Sequence, residues 1–328
     1  MTYKLGPLDL KSPFVLAPMA GLTDTSFRRL MRRHGCPMVT SELVSSTGME
    51  YSFQKSLRIL AFHEEEKPVG LQIFGDNPEH MLEALRKIEA LGADFADLNL
   101  GCPVQKVVRR GAGAAACRDV PKLYALLKQA ARAVKIPVSM KIRTGWDNDH
   151  KNAVEVVRAG ADAGISWVAV HGRTRAQGYA GTADWDAIGE VKAKSTIPVI
   201  GNGDVTTPEL AVERFKTYGV DAVMIGRGAL RRPLIFEESA ALLHDGSYAA
   251  GAPGNNSFIG LIREHRALIA EQHEGHLVPA MVHARKFMSY YATGMRGCHE
   301  LRKKLFEYDD PELIWNEAER FFMQIYNK

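Results

Sequence analysis

Short apolar runs alternate with helical segments over the first 232 residues of the chain. The runs end in a polar or glycine-containing turn and occur at Phe14–Pro18, Met38–Ser41, Val69–Phe74, Phe95–Asn99, Val138–Ile142, Trp167–His171, Pro198–Asn202 and Ala222–Ile225. The segments between them have a helical period, as in Pro78–Leu91 and Pro121–Val134, and another begins at Pro208 with Thr207 as its N-cap. Eight strands that alternate with helices predict an α/β protein, and eight is the number that closes into a TIM (β/α)8 barrel.

A doubly wound open sheet is the alternative architecture for the same alternation. In open sheets the ligand-binding residues gather at one switch point of the strand order. Here polar residues follow nearly all eight runs, as expected when the strands surround a common centre. The pattern therefore favours the barrel, whose active site lies at the carboxyl ends of its strands.

The repeat stops after Arg232. Residues His244–Ser257 are rich in Gly, Ala and Asn, which is the composition of a linker. Helical patterns resume at Phe258–His273, Ala280–Thr293 and Pro311–Tyr326. We therefore expect a barrel domain over 1–243, a linker over 244–256 and a small C-terminal helical domain over 257–328.

Composition limits the class of protein without changing this organisation. Of 328 residues, 46% are hydrophobic and 24% charged, and the four cysteines include no CxxC pair. This composition is that of a globular protein and argues against a disulfide framework or a metal site. We see neither a secretory signal nor an apolar run of the roughly 18 residues that a membrane helix needs. We expect a cytoplasmic protein without a membrane partner, whose net charge of +4 permits a nucleic-acid partner.

Two candidate residues lie at the ends of predicted strands. Lys141 lies in an apolar strand, where a charge is unfavourable unless it is paired or used. At the barrel mouth it can form a Schiff base, hold a phosphate or stabilise a negative charge, and the alternative is a lysine that extends to solvent. His171 is either a site residue or a buried core histidine.

Two glycine-rich loops follow the seventh and eighth strands, at Gly201–Asp204 and Gly226–Gly228. Many barrels bind phosphate at these two loops through backbone N–H groups. Arg227 can add a charge-assisted contact. One GxG turn is weak evidence, but two in these positions predict a ligand that carries phosphate.

Six blocks of sequence combine these features. They are PMAGLTDTSFRRL at 18–30, DLNLGCPVQKV at 97–107, MKIRTGWD at 140–147, VHGRT at 170–174, GNGDV at 201–205 and IGRGAL at 225–230. Together they resemble the tRNA-dihydrouridine synthases, and within that family the bacterial DusB (NifR3-like) branch. The resemblance implies an enzyme that reduces uridine in tRNA to dihydrouridine, with FMN as cofactor and NADPH as reductant.

The resemblance also implies roles for single residues around the flavin. Pro18, Met19 and Ala20 would line it. Gln72 would hydrogen-bond the isoalloxazine edge, Lys141 would lie near its N1–O2 side, and His171 would lie beside the flavin or its ribityl chain. The ribityl chain and phosphate would be held by Asn202, Gly203, Asp204, Gly226 and Arg227.

By the same resemblance, Cys102 would protonate C5 of uracil while hydride reaches C6, and Asn99 would orient the uracil. Free thiols ordinarily have a pKa of about 8.5 and are mainly protonated at neutral pH, which suits a proton donor. The alternative for Cys102 is a small buried hydrophobe. The other three cysteines are expected to be structural.

Binding of tRNA requires a basic surface around the pocket. The segment Val282–Lys304 carries six basic residues and the single acid Glu300, with two tyrosines among them. We expect Arg285 and Lys286 in this segment to contact the tRNA, together with Arg143 near the pocket. Two other functions remain open: an FMN barrel dehydrogenase of the dihydroorotate type that acts on a small molecule, and a flavin-bearing RNA-binding protein without turnover. No protein partner is predicted.

Overall fold

A computed structural model of the chain describes residues 2–248 and 255–326. Within this part of the chain there are ten strands: β1 (Tyr3–Leu5), β2 (Leu8–Leu10), β3 (Phe14–Leu16), β4 (Val39–Ser45), β5 (Val69–Phe74), β6 (Phe95–Asn99), β7 (Val138–Arg143), β8 (Val168–His171), β9 (Val199–Asn202) and β10 (Ala222–Ile225). The strands β3 to β10 correspond to the eight predicted runs, with differences of a few residues at their ends.

The eight strands β3 to β10 form one parallel sheet that closes on itself. Their order is β3-β10-β9-β8-β7-β6-β5-β4, so that neighbours in sequence are neighbours in space throughout. The two strands at the ends of this order are joined where Leu16 N–H donates to the carbonyl of Met38 at 3.3 Å. The sheet is therefore a barrel, as predicted, and not an open doubly wound sheet.

The described residues form fifteen α-helices: α1 (Thr25–Arg33), α2 (Ser46–Tyr51), α3 (Phe53–Leu60), α4 (Pro78–Ala90), α5 (Gln105–Val108), α6 (Val120–Ala133), α7 (Ala153–Ala163), α8 (Trp185–Lys194), α9 (Pro208–Tyr218), α10 (Arg227–Arg231), α11 (Ile235–Asp245), α12 (Asn255–Gln272), α13 (Leu277–Tyr291), α14 (Cys298–Glu307) and α15 (Pro311–Tyr326). The predicted start of α9 is confirmed, because the Thr207 side chain accepts from Leu210 N–H.

An amino-terminal hairpin, which the sequence pattern did not predict, covers the amino-terminal end of the barrel. Strands β1 and β2 pair antiparallel, and Leu5 and Leu10 are buried among residues of the barrel interior. Phe95 and Trp167 pack beside them, with ring centroids 4.9 Å apart. The hairpin does not cover the opposite end of the barrel, where the strands have their carboxyl ends, so that end remains open for a binding site.

The C-terminal helices pack against the barrel helix α1. Phe287 on α13 stacks on Phe27 of α1 with ring centroids 5.2 Å apart, and both rings are fully buried. Helix α14 was missed because Leu301 and Leu305 alone give its short, highly charged segment an apolar side. The predicted linker begins within α11, and its residues 249–254 lie outside the described part of the chain.

None of the helices in residues 2–248 and 255–326 has the length and apolar character needed to cross a lipid bilayer.

Candidate active site

A cavity of about 770 Å³ opens at the carboxyl ends of the barrel strands. Most of the predicted site residues line it, namely Pro18, Met19, Ala20, Asn99, Cys102, Lys141, Arg143, His171, Asn202, Gly203, Asp204, Gly226 and Arg227. Gln72, Arg285 and Lys286 are not part of this lining. The closed barrel thus brings together residues that are more than 200 positions apart in the sequence.

Two loops at the cavity have backbones that require glycine. Gly203 has a φ of 140°, and a Cβ there would lie 2.4 Å from the side chain of Ala183. A Cβ at Gly228 would lie 2.2 Å from the carbonyl oxygen of Val205. A side chain at Gly203 would push the loop after β9 away from the loop after β8, and one at Gly228 would push α10 away from the segment that follows Asp204, so both positions need glycine for this close packing.

The loop after β9 is also held by ion pairs around Asp204, which has a positive φ of 53°. The buried Arg173 donates to both carboxylate oxygens, at 2.9 and 2.8 Å, and Arg227 lies 3.4 Å from one of them. Burial raises the pKa of Asp204, but the hydrogen bonds from Arg173 and from Ala183 N–H outweigh it and lower the pKa overall. Sequence reasoning did not identify Arg173, whose role as a support for Asp204 depends on the fold.

Lys141 on β7 projects into the cavity. Its Nζ donates to Asn202 Oδ1 at 3.1 Å, and Asn202 Nδ2 donates in turn to the carbonyl of Met224 at 2.8 Å, which fixes the orientation of the amide. Burial, with the nearby Arg143, lowers the pKa of Lys141 to about 8. The amine is therefore still mainly protonated at neutral pH.

His171 is surrounded by positive charge. Burial lowers the pKa of its imidazole to about 2, together with the charges of Lys141, Arg143, Arg173 and Arg227. The ring is therefore neutral at physiological pH. Three of these cations, Lys141, Arg143 and Arg227, line the cavity, and their charge makes it a favourable place for an anion.

Cys102 lies on the loop after β6, which is fixed from several directions. Its N–H donates to Asn99 Oδ1 at 2.9 Å, and its carbonyl accepts from Ala114 N–H at 3.2 Å. Arg143 Nε donates to the carbonyl of the preceding Gly101 at 2.8 Å. The half-buried thiol is thus held at the cavity wall on a rigid loop.

The other cysteines have different environments. Cys36 and Cys117 are buried, and burial raises the pKa of each thiol to about 12. Cys298 lies at the start of α14 and does not line the cavity. Cys102 is the cysteine that faces the cavity among the residues that the structure describes.

Gln72 lies beneath the cavity and is fully buried. Its Nε2 donates to Asp97 Oδ2 at 2.6 Å, and its Oε1 accepts from Asn99 Nδ2 at 2.8 Å. Both ends of this amide are therefore engaged by the protein. The predicted hydrogen bond from Gln72 to a flavin edge stays a prediction.

Arg285 and Lys286 on α13 also have partners within the protein. Arg285 Nε donates to the carbonyl of Leu305 at 2.9 Å. Lys286 Nζ donates to the carbonyl of Gly21 at 2.6 Å and lies 3.8 Å from Asp24. Lys286 thus ties the C-terminal helices to the loop that carries Met19 and Ala20, and its predicted contact with tRNA remains untested.

Two tyrosines at the cavity were not identified as site residues from the sequence. The Tyr179 side chain is 63% exposed, and its ring lies 5.7 Å from the guanidinium of Arg143 and 5.0 Å from that of Arg227. Tyr290 reaches the cavity from α13. The adjacent Tyr291 is instead buried and hydrogen-bonded to His265. The two tyrosines are adjacent in sequence, but the orientation of α13 against the barrel turns Tyr290 towards the cavity and Tyr291 into the protein interior.

A closed (β/α)8 barrel with a cationic, glycine-lined cavity and a cysteine on a rigid loop is the arrangement of a barrel enzyme whose cavity suits an anionic ligand. The model of one family, described as dihydrouridine synthase (Dus), matches residues 15–325. The chain belongs to the dihydrouridine synthase family. This membership decides against the dihydroorotate-type alternative.

Curated relatives with the same family name match most or nearly all of the chain. The chain is 38% identical over 326 residues to tRNA-dihydrouridine synthase B of Pseudomonas aeruginosa, covering 99% of this chain and 97% of the relative. It is 43% identical over 244 residues to tRNA-dihydrouridine synthase B of Xanthomonas campestris pv. campestris, covering 74% of each chain. A probable tRNA-dihydrouridine synthase of Rickettsia bellii is 36% identical, with 99% of each chain covered.

Solved structures support the fold alone. Histamine dehydrogenase from Rhizobium sp. 4-9 superposes with a TM-score of 0.59 at 12% identity, covering 81% of this chain and 50% of that protein. A mandelate oxidase variant superposes with a TM-score of 0.50 at 18% identity, covering 85% of this chain and 77% of that protein.

Proposed function

We propose that the protein reduces uridine in tRNA to 5,6-dihydrouridine, with FMN as its bound cofactor and NADPH as reductant. The observation that carries the proposal is the position of Cys102, whose loop faces the cationic end of one cavity in a chain of this family. The relatives named tRNA-dihydrouridine synthase support the choice of substrate. Because the substrate is tRNA, the proposal also assigns the protein to the cytoplasm.

The residues at the cavity fit FMN. The cavity volume lies in the range of cofactor sites, and its lining combines apolar groups with a few convergent polar ones. The close glycine backbones at Gly203 and Gly228 and the exposed guanidinium of Arg227 suit a phosphate. We assign Asn202, Gly203, Asp204, Gly226 and Arg227 to the ribityl phosphate, and Pro18, Met19 and Ala20 to the ring.

Bound FMN would supply hydride for C6 of the uracil. The protein's own contribution is charge and position: the ammonium of Lys141, held by Asn202, stabilises negative charge at the centre of the cavity. His171 stays neutral, so it acts as a hydrogen-bonding and packing group rather than as a cation.

Cys102 would deliver the proton to C5 of the uracil. Its loop is held by Asn99 and by Arg143, so the backbone that carries the thiol has a fixed position at the cavity wall. Such fixed placement is what general acid catalysis requires. We also assign Asn99 and Arg143 to the orientation of the uracil.

A uridine inside tRNA must leave its stack to reach this cavity. Tyr290 at the cavity and the exposed Tyr179 offer aromatic faces for stacking. Exposed basic residues suited to the RNA backbone are Arg109, Arg110, Arg296 and Lys303.

The half-reactions of Cys102→Ala test the proposal. The variant should bind FMN and be reduced by NADPH as the wild type is, because neither step needs an acid at uracil C5. Reoxidation by unmodified tRNA, followed anaerobically by rapid-mixing absorbance, should slow by roughly 10²–10⁴-fold, the usual contribution of a positioned general acid. Cys102→Ser should also be strongly impaired because a hydroxyl is a weaker acid.

Cys117→Ala is the matched control, since that thiol is buried and away from the cavity lining. Wild-type reoxidation in Cys102→Ala would show that another group donates the proton. Absence of turnover with any tRNA in the wild type would instead favour the non-catalytic RNA-binding alternative. FAD in place of FMN, or no flavin after reconstitution, would contradict the cofactor assignment.

A further inference from the structure

The hydrogen bonds beneath the Cys102 loop form an unbroken chain that ends on Asp97. Cys102 N–H donates to Asn99 Oδ1 at 2.9 Å, and Asn99 Nδ2 donates to Gln72 Oε1 at 2.8 Å. Gln72 Nε2 then donates to Asp97 Oδ2 at 2.6 Å, and the other Asp97 oxygen accepts from Ser139 Oγ at 2.6 Å. The chain therefore connects the cavity loop to a carboxylate buried on β6.

The direction of this chain is determined at both ends. A backbone N–H can only donate, so Asn99 must turn its oxygen towards Cys102 and its Nδ2 towards Gln72. Gln72 must then present its oxygen to Asn99, which leaves its Nε2 facing Asp97. An ionised carboxylate only accepts hydrogen bonds. With an ionised Asp97 at its end, the hydrogen-bond chain therefore has a single order of donors and acceptors, and in that order the Cys102 N–H has its acceptor.

Asp97 makes its two side-chain hydrogen bonds inside the barrel wall, and its charge also interacts with that of Lys141. It does not line the cavity, and it lies within the barrel wall between β5 and β7. Burying a carboxylate is unfavourable unless hydrogen bonds compensate it. Burial raises the pKa of Asp97, and the hydrogen bonds from Gln72 and Ser139 together with the nearby charge of Lys141 offset part of this effect.

We propose that Asp97 is a positioning residue for the proton donor. By fixing the direction of the amide chain, it holds the Cys102 loop in the conformation that presents the thiol to the substrate. The inference rests on the proposed function, because it acts through Cys102 as proton donor. Gln72 has a positioning role in the same chain, beneath the cavity.

One isosteric substitution can reverse the order of donors and acceptors in this hydrogen-bond chain, and a second substitution can restore it. In Asp97→Asn the oxygen of the new amide can accept either from Gln72 or from Ser139, but accepting from Gln72 turns the amide Nδ2 towards Ser139 Oγ and leaves that hydroxyl only the carbonyl of Ala96 at 3.4 Å. When the oxygen keeps the Ser139 bond, the Nδ2 donates to Gln72 and the Gln72 amide turns over. Asn99 would then turn its Nδ2 towards the N–H groups of Gly101 and Cys102, and the bonds that these groups donate to Asn99 Oδ1 would be lost.

In the double variant Asp97→Asn/Gln72→Glu the carboxylate is at position 72 instead of position 97. Asn99 Nδ2 therefore donates to this carboxylate, and Asn99 Oδ1 again accepts from the N–H groups of the Cys102 loop.

Two measurements on the FMN-loaded protein test the hydrogen-bond chain and its effect on the proton donor. Hydrogen exchange of the amides of Gly101 and Cys102, read by mass spectrometry of the peptide that contains them, should be about 10-fold faster in Asp97→Asn, as expected for one lost hydrogen bond. Reoxidation by unmodified tRNA should slow by about 10- to 100-fold as the acid loses its position. Reduction by NADPH should keep the wild-type rate in Asp97→Asn, and the double variant should recover the slow amide exchange.

Asp94→Asn is the matched control. Asp94 lies just before β6, and its Oδ2 accepts from Val69 N–H at 2.8 Å, a contact that an asparagine oxygen also makes. It should leave exchange at Gly101 and Cys102 and both half-reactions unchanged.

The inference is overturned if Asp97→Asn exchanges and reoxidises like the wild type, or if amide exchange in the double variant is as fast as in Asp97→Asn. Should Asp97→Asn fail to fold, the double variant decides alone: wild-type exchange supports the inference, and fast exchange overturns it. A wild-type protein that does not reduce uridine would refute the proposed function. The exchange measurement would still show whether Asp97 fixes the hydrogen bonds of the Cys102 loop.

Discussion

Replacing Lys141 with methionine tests whether the positive charge of Lys141 in the cavity lowers the free energy of unfolding. Burial and Arg143 lower the pKa of Lys141 from 10.5 to about 8. This difference of about 2.5 units corresponds to about 3 kcal/mol of unfavourable interaction with the charged form. Because the amine is half-buried and lies at an open cavity, we expect about 1–3 kcal/mol. Methionine has a similar length and no charge, so Lys141→Met should unfold less readily than the wild type at pH 7.

The pH dependence of this difference has a definite sign. Below pH 8 the lysine is charged in both the folded and the unfolded state, and the folded state carries the full penalty. Between pH 8 and 10.5 the folded protein binds fewer protons than the unfolded chain, so wild-type stability rises with pH. The advantage of Lys141→Met should therefore be largest below pH 8 and should shrink as the pH approaches 10.5.

Urea unfolding of flavin-free protein, followed by tryptophan fluorescence at several pH values between 7 and 9.5, measures this difference. Lys122→Met is the control, because Lys122 is exposed on α6 and its loss should change stability by less than about 0.5 kcal/mol. The same Lys141 variant should bind FMN more weakly. A variant less stable than the wild type at pH 7, or a difference that does not depend on pH, would refute the reasoning.

Two further predictions concern the ligands. Arg227→Ala should weaken FMN binding, measured by fluorescence titration, by about 10- to 100-fold, since one charge-assisted hydrogen bond contributes about 1.5–3 kcal/mol; unchanged affinity would remove Arg227 from the phosphate site. Arg296→Glu/Lys303→Glu should lower tRNA affinity in filter binding and reduce its salt dependence, while FMN binding stays the same. Unchanged tRNA affinity and salt dependence would exclude this surface.

Point variants suit the RNA surface better than removal of the C-terminal helices. Phe287 stacks on the barrel residue Phe27, and Lys286 donates to the loop carbonyl of Gly21. A truncated barrel would expose this apolar contact and lose a support of the cavity loop. Its loss of tRNA binding would therefore not identify the surface that contacts RNA.

The amino-acid sequence by itself determined the barrel and the content of its site. The alternation of apolar runs and helical segments reflects local periodicity, so it predicted all eight barrel strands. Lys141 and His171 follow from the same alternation as strand-end residues, whereas Asn99 and Cys102 were assigned roles through the resemblance of their sequence block to a known family. The two three-residue strands of the amino-terminal hairpin are too short to give such a signal, and the sequence did not reveal them.

The tertiary structure alone decided which of these residues face the cavity and what charge they carry. Gln72 and Lys141 both lie on barrel strands, yet one is buried beneath the cavity and the other lines it. The neutral state of His171 depends on its burial and on cations from β7, from the loop after β8 and from α10, and the role of Arg173 depends on the position of Asp204. Burial and Coulomb interactions act through space between residues that are distant in sequence, so no local pattern in the chain encodes them.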